Sequence, residues 1–219
     1  KADNEEVKSL LIMVDSEGDL GNPKDSQRKT AVENHYKWIH AAKLLGCHSI
    51  RVNAFGKADM DTLSKTLTDG LGELAAYGQK VGVSIIIENH GLHTSNAEFM
   101  VDIIKKVDNP YLGTLPDFGN WCLNAAWGST QNNKCTEVYD PHKGLAAFLP
   151  YAKGVSAKAY DFDAEGNETI IDYNQLLKTV KDADFQGYIG VEYEGERLSE
   201  SEGIKATKKL IESVWAALD

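Results

Sequence analysis

The chain has 219 residues, 42% of them hydrophobic and 26% charged, enough to bury about 70% of its unfolded surface without a disulfide or metal staple. Lys plus Arg number 23 against 33 Asp plus Glu, a formal net charge of −10, which repels phosphate backbones and argues against nucleic acid as a partner. No apolar run approaches the ~20 residues of a membrane span, so no membrane partner is expected.

The first apolar run is Ser9 to Val14. A helical face follows at Val32, Tyr36, Ile39 and Leu45, starting near Asp25 or Ser26. Ser49 to Asn53 is the second run, and Leu63, Leu67, Leu71 and Leu74 mark the next helix at i, i+3, i+4 spacing. Ser84 to Ile87 is the third run, followed by a helix through Phe99, Ile103, Ile104 and Val107. The fourth run, Gly113 to Leu115, is weak alone, and Leu145 with Phe148 suggests a short helix before Pro150. Gly154 to Ala157 is the fifth run, and Asp172 reads as the N-cap of a helix through Leu176, Leu177 and Val180, with Gln175 three residues on. Tyr188 to Val191 is the sixth, and Ile204, Leu210, Ile211, Val214 and Trp215 close the pattern. Gly46, Gly82 and Gly187 punctuate the helix-to-strand returns. Strand-helix alternation with apolar, poorly alternating strands predicts a parallel sheet covered on both faces. No linker or low-complexity tract interrupts it, so residues 1–219 read as a single domain. The long aperiodic stretch Asn120 to His142 is the kind of loop that serves as a lid or partner contact.

The three cysteines, Cys47, Cys122 and Cys135, have no CxxC or zinc-finger spacing, and free buried thiols are expected. The chain opens Lys1-Ala-Asp-Asn-Glu5, without a signal-peptide pattern. Its compartment reads as cytoplasmic by default, or periplasmic where a leader has been removed.

In parallel βα proteins, active sites gather where the strands end. Asp15 and Glu17 follow the first run and Asn53 closes the second. Glu88, Asn89 and His90 follow the third, and Asp117, Asn120, Trp121 and Cys122 the fourth. Lys158, Tyr160 and Asp161 follow the fifth, and Glu192 with Glu194 the last. Glu192 and Lys158 interrupt apolar strands, where an unpaired charge is costly. Carboxylates converging from several strand ends repel one another unless a cation sits among them, and a divalent metal on oxygen ligands is the economical answer.

Ile85-Ile-Ile-Glu-Asn-His-Gly91, Pro116-Asp-Phe-Gly-Asn-Trp121, Val155-Ser-Ala-Lys-Ala-Tyr-Asp-Phe-Asp163 and Ile189-Gly-Val-Glu-Tyr-Glu-Gly195 occur in that order. Together they resemble the last four strand ends of the sugar phosphate isomerase/epimerase family, the xylose isomerase-like TIM barrels. The resemblance implies a (β/α)8-type barrel. Six strands are visible and the last reads as the eighth, so the first two βα units are expected to be absent, leaving exposed sheet edges for a partner chain to cover. In that family a divalent ion (manganese, magnesium or zinc) is held by Glu, Asp, His and Glu. Glu88, Asp117 and Glu192 match the three carboxylates, whereas Ser156-Ala157-Lys158 stands where the histidine strand is expected, and Asn120 where many members place a substrate-binding His. Protonated Lys cannot ligate a metal. Three readings remain open: a metal held by the three carboxylates with waters or His90, a Lys158 ammonium replacing the metal's charge, or a site that only binds.

The activity implied is proton transfer beside a carbonyl through an enediolate. Glu88 and Glu192 form the acid/base pair and Lys158 stabilises charge. His90, Asn120, Asn53, Asp15, Glu17, Glu194 and Trp121 bind substrate. A carbohydrate substrate and a homo-oligomer are implied too. A lyase on 3-keto-glycosides is the alternative within the same machinery, and a non-catalytic carbohydrate-binding relative is the alternative outside it. The related zinc endonucleases need a His-rich site and basic grooves, which six scattered His and the acidic balance do not provide.

Overall fold

A computed structural model describes residues 7–131 and 135–218. Six strands and six α-helices alternate through them: β1 (Leu11–Val14), α1 (Asp25–Leu45), β2 (Ser49–Val52), α2 (Met60–Val81), β3 (Ser84–Glu88), α3 (Ala97–Val107), β4 (Leu112–Leu115), α4 (Pro141–Phe148), β5 (Val155–Ala159), α5 (Tyr173–Asp182), β6 (Ile189–Tyr193) and α6 (Glu200–Ala217). All six expected strands are present, the weak fourth included. The described residues fall into two compact units, 7–88 with 101–113, and 89–100 with 114–218.

In the first unit β1, β2 and β3 lie side by side in parallel, with Ile50 between Ile12 and Ile85. The Ile85 amide donates to the Tyr111 carbonyl (2.7 Å), setting the start of β4 beside β3. Ile85, Ile86 and Ile87 are all fully buried. That explains the unbroken apolar run: a central parallel strand meets core on both faces. Leu67, Leu71 and Leu74 bury one stripe of α2 completely, each contributing about 1.5–3 kcal/mol of hydrophobic stabilisation. Asp59 caps α2 by accepting from the Thr62 amide (2.9 Å), and Gly46 and Gly82 end α1 and α2 in the left-handed conformation. β1 is the sheet's edge, where Met13 is 49% exposed.

In the second unit β5 and β6 are parallel, and the register places Lys158 opposite Glu192. Parallel bridges Thr114↔Ala152 and Asp117↔Ser156 tie the end of β4 and the segment leaving it to β5 and the segment entering it. Asp172 caps α5 through the Gln175 amide (3.0 Å), as its sequence predicts, and α6 begins with a full capping box from Ser199 and Glu202. The return after α5 differs from expectation. Asp184 (φ 50°), not Gly187, takes the left-handed position.

Candidate active site

The second unit builds a charged cluster around a buried ammonium. Lys158, on β5, is 1% exposed. Its Nζ lies 2.9 Å from Glu194 Oε2 and 3.4 Å from Glu192 Oε1, and donates to Asn120 Oδ1 at 3.1 Å. Burial alone would lower its pKa, but the carboxylates of Asp117, Glu192 and Glu194 outweigh it and hold the ammonium well above the ordinary lysine range. Lys158 is therefore a fixed positive charge, unable to act as a base. Burial likewise pushes the Glu192 carboxyl up, but Lys158 and the Ser156 hydroxyl, which donates to Glu192 Oε2 (2.6 Å), bring it below the usual carboxylate range. Glu192 is ionised at neutral pH and can accept a proton.

Asp117 is fully buried just beyond β4. Its Oδ1 accepts from the amides of Gly119 and Asn120, both at 2.8 Å, so the Asp-Phe-Gly-Asn turn closes on its own carboxylate. Asn89 holds the turn from the other side: its side chain accepts from the Asp117 amide (2.7 Å) and donates to the carbonyls of Asp117 (3.0 Å) and Asn120 (3.1 Å). Ser95 adds a hydroxyl bond to the Asn120 carbonyl at 2.7 Å. A carboxylate oxygen of Asp117 comes within 4.8 Å of one from Glu192. Gly119 packs closely here: a Cβ would sit 2.9 Å from the Tyr160 hydroxyl oxygen and 3.1 Å from Lys158 Cδ, so one or both of those side chains would have to shift.

Tyr160 is buried, with its hydroxyl 3.0 Å from Ser129 Oγ, and burial raises its pKa. The Tyr173 hydroxyl on α5 reaches the carbonyls of Ala157 and Lys158, both at 2.9 Å, and fixes the backbone that carries the ammonium. Glu168 accepts from the amides of Tyr160, Asp161, Ile170 and Ile171, closing the turn that follows β5.

The first unit carries a second charged group. Glu88, at the end of β3, is 2% exposed and pairs with the buried Arg51 of β2, Nε to Oε2 2.9 Å. Arg51 also pairs with Asp15 and donates to Asn53 Oδ1 (3.3 Å), and Asn53 donates to Asp15 Oδ1 (3.2 Å). Asp15, Asn53 and Glu88 thus share one guanidinium. Glu17 is turned to α1, where it accepts from Trp38 Nε1 (2.6 Å) and pairs with Lys37 (2.7 Å).

Among the residues expected at the site, Asp117, Asn120, Lys158, Glu192 and Glu194 meet in the second unit. His90 is half-buried, its amide donating to Thr94 Oγ1 (2.9 Å). Trp121 is fully buried, packed 5.9 Å from the Phe148 ring and against Gly144, so its indole serves the core. The expectation of free thiols at Cys122 and Cys135 is corrected. The two form a disulfide across 13 residues, with Cα atoms 5.7 Å apart, and Cys47 stays free and buried. The Leu123 amide's bond to the Glu137 carbonyl, the Tyr139 amide's bond to the Trp121 carbonyl and the antiparallel bridge Cys122↔Val138 bring the two sulfurs together, which cysteine spacing cannot reveal. Arg51 was open to detection, since it breaks an apolar strand just as Glu192 does. The hydrogen-bonding of Asn89, Ser156 and Tyr173 carries no such signal.

A model of the family described as xylose isomerase-like TIM barrel matches residues 3–214. The chain belongs to that family. Its fold is the xylose isomerase-like barrel fold, α/β with parallel strands, as the four strand-end motifs implied. Among solved structures, a D-tagatose 3-epimerase-like protein shares 18% identity at a TM-score of 0.74, covering 99% of this chain and 80% of that one. The IOLI protein with a bound zinc atom shares 18% at 0.72, covering 100% and 81%. The 3-keto-D-glucoside 4-epimerase YcjR from E. coli shares 14% at 0.68, covering 97% and 81%. No curated protein matches. Among the described residues, no helix is long and apolar enough to cross a membrane.

Proposed function

We propose that this member of the family is a sugar isomerase or epimerase that moves a proton beside a carbonyl. The observation that carries the reading is the fixed ammonium of Lys158, buried among Asp117, Glu192 and Glu194 beside an ionised Glu192. A buried positive charge set among acceptors suits an oxyanion that develops during reaction. The Glu192 carboxylate takes the proton from the carbon next to C=O, and the C–H electron pair moves to the carbonyl oxygen to give an enediolate. Lys158 offsets the new negative charge. Delivery of a different proton by Glu88, in its protonated form, to the opposite face of the same carbon gives the epimer, and Glu192 then loses its proton to solvent as Glu88 regains one. Return of the Glu192 proton to the former carbonyl carbon, with the hydroxyl proton passing to the former carbonyl oxygen, gives the aldose or ketose isomer.

Glu88, Asp117 and Glu192 are the residues that would hold a divalent ion in this reading. Their carboxylate oxygens are the hard donors that magnesium or manganese prefer, and zinc accepts them too. Within the second unit one ammonium faces three carboxylates, and a divalent ion balances the surplus. When bound, such an ion supplies a Lewis acid that polarises the carbonyl. Lys158 lies where the family's histidine ligand is expected and supplies charge instead of a donor atom. His90, Asn120, Asn53, Asp15 and Glu194 are proposed to meet the hydroxyls of a keto-sugar. The neighbour named as a 3-keto-D-glucoside epimerase favours including 3-keto-glycosides among the substrates tested.

The test is solvent deuterium exchange into a panel of keto-sugars, D-tagatose and methyl 3-keto-glucoside among them, with metal content measured on the same preparation. Exchange at the carbon next to the carbonyl, lost in Glu192→Gln, is the expected result. Absence of exchange into every sugar, together with no bound divalent ion, would overturn the reading. Release of methanol from the glycoside would instead assign an elimination.

A further inference from the structure

Trp127 is the exposed tryptophan of the long loop after β4, and the backbone carries it at a cost. Its φ is 68°, in the left-handed region that bulky side chains avoid, and its side chain is 53% exposed. A residue both strained and solvent-facing gains nothing for the fold from either property. The surrounding chain nonetheless enforces the geometry. The Cys122 amide donates to the Gly128 carbonyl (3.0 Å), the Leu92 amide to the Cys122 carbonyl (3.0 Å), and Gly91 bridges Ala126. Gly91 has φ 94°, and a Cβ there would come within 2.9 Å of the Trp127 amide nitrogen, so no other residue lets the two segments meet. The Cys122–Cys135 disulfide then closes the loop covalently.

The indole is positioned relative to the charged cluster. Its ring lies 4.9 Å from the His90 imidazole, edge to face at 75°. His90 adjoins Asn89, whose side chain holds both the amide and the carbonyl of Asp117. The route from Trp127 to Asp117 is thus a ring contact, one peptide link and a pair of hydrogen bonds, all within the second unit.

We infer that Trp127 is a stacking platform for the C–H face of a cyclic sugar, with the His90 ring as its wall. The inference rests on the sugar reading above and narrows it: a flat indole face matches a pyranose ring, whereas an open-chain ketose offers no such face. Aromatic contacts of this kind are worth about tenfold in affinity.

The experiment uses the full chain with its disulfide intact. Binding of methyl β-D-glucopyranoside, methyl α-D-mannopyranoside and acyclic D-glucitol is measured by calorimetry for wild type, Trp127→Ala and Trp127→Phe, alongside the keto-sugar exchange assay. Expected are tighter binding of a pyranoside than of D-glucitol by wild type, about a tenfold loss in Trp127→Ala, and recovery of most of it in Trp127→Phe. Trp127→Gly relieves the backbone strain, so it should raise Tm while still losing pyranoside affinity, which separates binding from folding. Unchanged pyranoside affinity and exchange KM in Trp127→Ala overturn the platform while leaving the isomerase reading intact. A wild type that exchanges keto-sugars but prefers D-glucitol also overturns it. A wild type that binds no sugar and exchanges none overturns both.

Discussion

Lys158 on β5 and Glu192 on β6 are direct partners in the parallel register, and their charged atoms lie 3.4 Å apart. The strand pairing itself builds the ion pair. A slip of one residue would face the ammonium with Val191 or Tyr193 and turn the slipped strand's side chains to the wrong face.

Lys158→Met keeps the bulk of the stem and removes the charge. Asp117, Glu192 and Glu194 then repel one another without a buried cation. Glu192 and Glu194 are partly solvated, so the loss belongs at the low end for a broken buried pair, about 3 kcal/mol by urea unfolding. Lys158→Ala should abolish turnover while metal content stays unchanged. Surviving activity in that variant removes Lys158 from the mechanism.

The same cluster sets a pH window. The folded-state pKa of Glu192 is depressed, so its contribution is present above the ordinary carboxylate value of about 4.3 and is lost as pH falls through the lower folded value. That of Lys158 is raised, so its contribution is complete below the ordinary lysine value of about 10.4 and is lost only as pH rises through the higher folded value. Urea midpoints should therefore plateau between those limits, and Glu192→Gln should flatten the acid limb. An acid limb unchanged in that variant would assign acid sensitivity to other carboxylates.

Arg51 and Glu88 are both almost fully buried, so removing the guanidinium alone strands a carboxylate. Arg51→Leu should destabilise by about 3–5 kcal/mol, and Arg51→Leu with Glu88→Leu should recover most of that loss. A double variant no better than the single would mean that Arg51 acts through Asp15 and Asn53 rather than through Glu88.

Reduction should weaken the second unit. A closed loop of this length is worth about 3 kcal/mol through the unfolded chain, so dithiothreitol or Cys122→Ser with Cys135→Ser should lower the urea midpoint. Thiol titration of the denatured, unreduced chain should find Cys47 alone. Three titrating thiols would rule the bridge out.

Strand positions were legible because a parallel strand buried on both faces writes an unbroken apolar run, and Ile85 to Ile87 write the clearest one. Asp117, Lys158 and Glu192 were legible because a charge inside or just after such a run needs a reason. What stayed hidden depends on loops. Trp121 and Trp127 are six residues apart in one aperiodic stretch, and composition cannot say that the first fills the core while the second faces solvent. Nor does spacing reveal the Cys122–Cys135 pair, because the fold of the loop, rather than any motif, brings its ends together.

Glu168 gives the segment after β5 an unusual dependence on one side chain. Four amides, Tyr160, Asp161, Ile170 and Ile171, share its two oxygens, so none can open to solvent independently while the carboxylate stays in place. In hydrogen exchange the four should behave as a single kinetic block, and Glu168→Ala should release them together. The turn that leads from the lysine strand into α5 therefore unlocks all at once or not at all.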